Sequence, residues 1–121
     1  MGVEAEVLSA LTTYAALTTL VLTKIYPAKV KQGVAPPAVT YRVVDGGRIN
    51  DLSGYSGLSN PHIAIDCFST SYSQVCNIST AIIQAITAST RFKAVMQYNP
   101  VDEYDDEIEV HRRILDFSLW L

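Results

Sequence analysis

The clearest pattern along the chain is an alternation of apolar and polar positions over residues 62–69, followed by a helical stripe. The alternation predicts a half-buried strand. Over residues 72–89, apolar residues recur three and four positions apart, which is typical of a helix with one buried face. Thr70 or Ser71 is suited to cap this helix. The residues that we expect to face the core are Ile63, Ile65, Cys67, Val75, Ile78, Ile82, Ala85 and Ile86.

Weaker patterns predict the remaining elements. Glycine, serine, asparagine and aspartate fill residues 46–61, which we interpret as a long loop or as the tip of a long hairpin. The apolar positions of the last strand change sides near Arg112 and Arg113, which predicts a β-bulge there. The other predicted elements are a helix over 3–14, a short helical turn over 15–21 and strands over 22–26, 39–44, 92–98 and 108–121.

This order of elements predicts one α+β domain over residues 1–121. Strands that follow one another closely favour a small antiparallel or mixed sheet. We expect four to five strands, with two helices packed on one face of the sheet. The length of 121 residues suits a single domain.

Composition changes this picture in one respect. Apolar residues make up 49% of the chain and charged residues only 17%, so we expect some apolar surface to contact other subunits. The formal net charge of −3 does not favour sequence-independent DNA binding, which requires many cationic side chains.

The cysteines and the N-terminus suggest a protein of a reducing compartment. Cys67 and Cys76 lack zinc-site spacing, so we expect two free thiols. Glu4 and Glu6 stand where a secretory signal would be basic. The apolar run over 15–22 is too short to span a bilayer, and we expect no membrane partner.

No catalytic motif is convincing. The segment Gly54-Tyr55-Ser56-Gly57-Leu58 is close to the GxSxG nucleophile elbow, but Leu58 occupies the place of the second glycine. His62 and His111 are isolated on predicted strands, where a structural histidine is the commoner case. We therefore predict neither an enzyme nor a bound cofactor or metal.

Residues 102–109 form the one charged cluster, in what we predict to be a turn-rich connection. The order of acidic residues does not match an EF-hand. Two interpretations stay open: a solvated loop that points outwards, or a surface that faces something negatively charged. The side chains concerned are Asp102, Glu103, Asp105 and Asp106.

Several segments together resemble a known family. They are Ile25-Tyr26-Pro27, the run over 36–41, the run over 56–67, Tyr72 at the start of the helix, and the run over 112–120. This combination resembles the tail-completion or tail-terminator family of long-tailed bacteriophages, and it covers nearly the whole chain. The most specific parts are Ser56-Gly57-Leu58-Ser59-Asn60-Pro61 with the following Ile65-Asp66-Cys67, and the terminal Leu115-Asp116-Phe117-Ser118-Leu119-Trp120.

The resemblance implies a structural virion protein with a fold similar to that of the phage lambda tail terminator. Such proteins form homo-oligomeric rings, typically hexamers, that cap the tail tube and join it to the head. The implied partners are the tail tube protein and a head–tail connector or stopper protein, while DNA passes through the channel without specific binding. The implied location is the virion tail or neck, after assembly in the host cytoplasm. No catalytic residues come with the family.

A ring requires two different faces on each subunit, because each subunit contacts its neighbours head to tail. The long last strand and the region 46–61 offer such faces. An acidic channel would repel DNA phosphates, so the four acidic side chains named above are candidates to face it. The candidate contacts with other subunits or with the neck are Arg48, Asn50, Tyr55, Leu58 and Trp120.

Two other functions remain as alternatives. The first is a different connector component, such as a stopper or a head-completion protein. The second is a module that binds a small molecule, which would be a monomer with a deep pocket.

Overall fold

The structure is a computed structural model that describes most of the chain. The described residues are 3–21, 24–27, 35–45, 48–51, 54–59, 62–89, 92–96 and 100–120, with the backbone alone at 3, 4, 45, 48–51 and 54–59.

Three helices are present in the described residues: α1 (Val3–Thr12), α2 (Ala15–Val21) and α3 (Tyr72–Ala88). Ser71 caps α3, and its Oγ accepts a hydrogen bond from the backbone N–H of Gln74 at 3.4 Å. Threonines are frequent in these helices, although they are weak helix formers. Their hydroxyls donate to carbonyls one turn earlier, as from Thr80 to Cys76 at 3.0 Å.

The described strands form one mixed sheet and one separate hairpin. In the sheet the order is β1–β2–β5–β8, and both β6 and β7 pair with the far side of β8. β1 runs parallel to β2, and the other pairs are antiparallel. The strands are β1 (Ile25–Pro27), β2 (Ala38–Asp45), β3 (Arg48–Asp51), β4 (Gly54–Ser59), β5 (His62–Ser69), β6 (Lys93–Met96), β7 (Val101–Asp105) and β8 (Val110–Trp120).

All three helices pack on one face of this sheet. The core lies between the helices and the sheet, because side chains along β5 and β8 point alternately to the two faces and every second one points towards the helices. The helix-facing residues that are fully buried include Val7, Leu11, Leu17, Ile65, Ile78, Ile82, Leu115 and Phe117. The opposite face, here called the helix-free face, carries Asp66 and Arg112.

The α+β class and the mixed sheet are confirmed, but the predicted element counts are wrong. The sheet of the described residues has six strands instead of four to five, and three helices are present instead of two. The added strand is β7, which was predicted as an acidic connection. The short segment 15–21 is a full helix, since Leu17 and Val21 are buried against the core.

Two further predictions concern local structure. Residues 48–51 and 54–59 pair as the hairpin β3–β4, which confirms the hairpin alternative for that region. The predicted bulge near Arg112 and Arg113 is wrong, because β5 and β8 pair in unbroken register from His62 to Ser69. The change of sides is real, since Val110 is buried on the helix-free face, while Ile108 lies in a turn and is exposed.

Candidate functional site

The hairpin of β7 and β8 ends in an acidic turn, defined here as residues 106–109. All five residues of β7 and all four of the acidic turn are exposed. One oxygen of Asp105 accepts hydrogen bonds from the backbone N–H groups of Glu107 and Ile108, at 3.0 and 3.4 Å. Glu109 has a φ of 54°, a left-handed conformation that non-glycine residues rarely adopt. Asp105 therefore fixes the turn from within, while the side chains of Asp106 and Glu107 project from it.

Arg113 connects this hairpin to α3 on the helix-covered side. Its Nε and Nη2 donate to the two carboxylate oxygens of Asp102, at 2.6 and 3.1 Å. Its Nη1 donates to Ser79 Oγ at 3.0 Å, and Nη2 also donates to the hydroxyl of Tyr72 at 3.0 Å. A bidentate pair of this kind is among the stronger polar contacts in proteins. The guanidinium thus joins β7, β8 and α3.

The charges of this cluster shift one another's protonation. The hydrogen bond from Arg113 holds the pKa of Asp102 below its ordinary value. The same bond raises the pKa of Arg113. The Asp102 carboxylate raises the pKa of Tyr72, since it disfavours a second negative charge nearby. His111 packs between two tyrosine rings, with centroids 5.6 Å from Tyr72 and 4.6 Å from Tyr104.

Arg112, the preceding residue, points to the helix-free face and is less well paired. Its Nη2 donates to Asp66 Oδ2 at 2.7 Å, and its Nη1 lies 3.7 Å from Glu103 Oε2. The guanidinium also lies over the ring of Phe68, 5.7 Å from the centroid. Asp66 Oδ1 and Arg112 Nε are buried without a hydrogen-bond partner among the described residues. Buried polar atoms without partners are uncommon and destabilising.

A groove of about 610 Å³ opens beside this pair, between the hairpin and β5. Its walls combine apolar surface with carboxylates, and Arg112 supplies the cationic group. The groove is lined by Phe68, Glu103, Tyr104, Asp105, Asp106, Glu107, Ile108, Val110 and Arg112. An acidic groove with apolar walls is suited to a basic segment that also carries apolar side chains.

Large apolar side chains are exposed along the edges of the sheet. Ile108 is 66% exposed and Trp120, at the end of β8, is 42% exposed. Val95 and Val101 lie on β6 and β7, at the same edge, and both are about half exposed. Several exposed apolar residues in one region are typical of surfaces that contact other proteins.

Comparison with known proteins agrees with this picture. A family model described as tail completion protein gp17 matches residues 5–121. The chain belongs to this tail completion family. A chain of a solved structure titled as the virion of a native gene transfer agent particle has the same fold, with a TM-score of 0.69 and 19% identity. The match covers 94% of this chain and 90% of that chain. No curated protein matches.

Family membership confirms the resemblance drawn from the sequence, and the structure locates the predicted contact residues. Trp120 is exposed at the end of the last strand of this tail completion family member. The backbones of Asn50 and Tyr55 are paired in the β3–β4 hairpin, whose side chains lie outside the described part of the structure. Arg48 and Leu58 lie on the same two strands. A contact role for these residues stays a prediction.

The four acidic residues predicted to face a channel are not equivalent. Asp102 is bound by Arg113, Glu103 lies near Arg112, and Asp105 holds the turn. Asp106 is the member of the four whose exposed side chain has no such role in the described residues. A channel-facing position stays a prediction. The sequence did not reveal the Arg113 cluster, since its members are far apart in the chain.

The remaining predictions from the sequence concern the GxSxG-like segment, the cysteines, metal sites and membrane-spanning segments. The segment Gly54–Ser59 is strand β4 and does not form a strand-to-helix turn. Cys67 and Cys76 are free thiols, and burial raises the pKa of Cys67 to about 12. In the part of the chain that is described, no group of His, Cys, Asp and Glu is arranged for a metal ion. None of the described helices is long and apolar enough to cross a membrane.

Proposed function

We propose that this protein is a structural tail completion subunit, which assembles into a ring that caps the tail tube and joins the tail to the head. The observation that carries the proposal is the match of the tail completion family to residues 5–121. The shared fold with a chain of a gene transfer agent virion supports a place in a phage-like particle.

Features of the single subunit support assembly. The exposed apolar residues Val95 and Val101 lie at one edge of the sheet, where a neighbour can cover them. Ile108 lies in the adjoining acidic turn and Trp120 ends β8, and both are exposed as well. Burial of such side chains stabilises an interface. Both edges of the sheet differ in sequence, as head-to-tail contacts require. We propose a hexamer as the closed form of this contact.

The partners follow from this role. One face of the ring contacts the tail tube protein, and the other contacts a connector or stopper protein. DNA passes through the ring without specific binding. The ring is part of the tail or neck of the virion, and it assembles in the host cytoplasm before it joins the particle.

Tail length in particles made without this protein tests the proposal. If the ring ends tube growth, particles made without it have tubes of uncontrolled length and heads without tails. Wild-type protein supplied in trans restores both, which serves as the control. Tubes of normal length that fail to attach indicate the other connector role, a stopper or head-completion protein. Tails of normal length on intact heads overturn both roles.

A further inference from the structure

The charges of this chain are divided between opposite edges of the sheet. Residues 7–44 contain no carboxylate and four cations, which are Lys24, Lys29, Lys31 and Arg42. The region 102–109 contains no cation and six carboxylates. Lys24 directly precedes the edge strand β1 and Arg42 lies on its neighbour β2, while residues 102–109 lie in β7 and the acidic turn at the opposite edge. Among the described residues, these two regions are therefore basic beside one edge of the sheet and acidic at the other.

Lys24 and Glu103, one residue from each charged region, also lie at the same height along the strands. The register places Ala38 opposite Phe68, Phe68 opposite Arg112, and Arg112 opposite Glu103. Lys24 joins this row because its carbonyl accepts a hydrogen bond from the backbone N–H of Val39. A row that runs across the sheet from Lys24 to Glu103 lets two copies meet edge to edge with little displacement along the strands.

We propose that the groove beside the acidic turn binds the basic segment 24–31 of a second copy of this chain. This inference rests on the proposed function and names the surfaces that join one subunit of the ring to the next. The segment has the matching chemistry, since Val30 stands between Lys29 and Lys31 and so combines apolar and cationic side chains. Residues 28–34 lie outside the described part of the structure, and their sequence alone enters here.

The described residues on either side of 28–34 lie at the basic edge of the sheet. Pro27 belongs to β1, and the chain returns at Ala35, whose carbonyl accepts a hydrogen bond from Lys24 Nζ at 3.1 Å. The connection between them therefore starts and finishes at the basic edge. On a neighbouring copy, this edge would meet the groove walls formed by Phe68 and the acidic turn.

The ion pair at the groove is independent support. Asp66 is only 6% exposed, yet one of its carboxylate oxygens has no hydrogen-bond partner among the described residues. Its partner Arg112 lines the groove. An arriving cationic or backbone donor can complete this pair, which the described part of a single subunit leaves incomplete.

Charge reversal on each side gives a direct test. One variant carries Asp106→Lys and Glu107→Lys, and the other carries Lys29→Glu and Lys31→Glu. Asp105 is left unchanged because it fixes the turn, and Thr87→Glu on the exposed side of α3 serves as a control for altered net charge. Circular dichroism and thermal melts establish that each variant is folded. Native mass spectrometry and light scattering across salt concentrations then report the assembly.

We expect each reversal to weaken assembly by roughly a hundredfold, as like charges across an interface do. The loss is larger at low salt, where screening is weak. An equimolar mixture of the two variants restores assembly, with the variants alternating and an even number of subunits. The variant with all four changes also assembles, and the Thr87→Glu control behaves as wild type.

The outcomes separate this inference from the proposed function. If the wild type forms rings and both reversals leave them intact, the inference is wrong and the ring role stands. The acidic turn then faces the channel or the solvent. If both reversals weaken assembly but the mixture does not restore it, the two surfaces do not contact each other and the inference is also wrong. A wild type that stays monomeric at all concentrations overturns the proposed ring itself.

Discussion

Arg112 and Arg113 are neighbours in the sequence, but they point to opposite faces of the sheet and have different surroundings. Arg113, on the helix-covered face, donates to Asp102, Ser79 and Tyr72. Arg112, on the helix-free face, holds Asp66 by one short bond, and buried atoms of both lack partners among the described residues. Among the described residues, the buried polar side-chain atoms that lack a hydrogen-bond partner both lie on the helix-free face. The proposed contact with a second copy is on that face.

The comparison predicts different mutational costs on the two faces. Ile82 is fully buried on α3, so Ile82→Ala should lower the free energy of unfolding by about 2–4 kcal/mol, as core truncations do. Trp120→Ala, at the exposed edge, should change it by less than about 1 kcal/mol while weakening assembly. Denaturant melts of both variants measure this. Equal losses of stability would show that the two surfaces do not differ in this way.

Removing one partner of the ion pair on the helix-free face should destabilise the subunit more than replacing both partners with apolar residues. Arg112→Met leaves the buried Asp66 carboxylate uncompensated and should cost about 2–3 kcal/mol of subunit stability. The double variant Asp66→Val with Arg112→Met should recover that loss to within about 1 kcal/mol. It should nevertheless assemble less well than wild type, because the groove loses its ion pair. A double variant that is as unstable as the single one contradicts this interpretation.

On the other face, Arg113→Met removes the guanidinium bonds that tie the hairpin to α3 and leaves the bond from the Tyr72 hydroxyl to Asp102 Oδ2, at 3.3 Å. We expect a loss of about 2 kcal/mol, less than a fully buried pair would lose, because Asp102 is partly exposed to solvent. Hydrogen exchange should show the loss in β7 first, while β5 stays protected. The matched control is Arg113→Lys, which keeps the positive charge but cannot make the bidentate contact with Asp102. It should be more stable than Arg113→Met but less stable than wild type.

The low pKa of Asp102 predicts an acid dependence of the same contact. A carboxyl whose pKa is lower in the folded state stabilises that state above its unfolded value of 3.8. That contribution disappears as the pH falls from about 4 through the folded pKa. Stability measured over this range should therefore fall less steeply in Asp102→Asn than in wild type. Identical slopes would show that the Arg113 pair does not contribute.

The smallest expected effect concerns the acidic turn. Glu109→Gly should stabilise the hairpin by about 0.5–1 kcal/mol, because glycine adopts a positive φ without steric cost. Glu109→Ala, which removes the same charge and keeps Cβ, separates the backbone effect from electrostatics. Thermal melts compare the two variants. If alanine stabilises as much as glycine, the gain comes from reduced repulsion among the carboxylates.

Periodicity predicted the parts of the fold that are held by apolar packing. Strand β5 was predicted with its observed bounds, and α3 differs from its prediction by the capping residue Ser89. Strand β7 was missed, because Asp102, Glu103 and Asp105 give no apolar alternation and its pairing depends on the distant Arg112 and Arg113. For the same reason, the sequence predicted only part of the candidate site. Its acidic side chains are adjacent in the sequence, while the partners that bind them come from other elements.

Electron microscopy of the purified protein alone is the most direct test of the ring role, combined with a mass measurement of the same sample. The account predicts closed rings of uniform size, with a mass that is a whole multiple of the 13.3 kDa subunit. Six subunits per ring would agree with the proposed hexamer. A sample that contains only monomers at every concentration and salt condition, with no closed particles in the images, would contradict it.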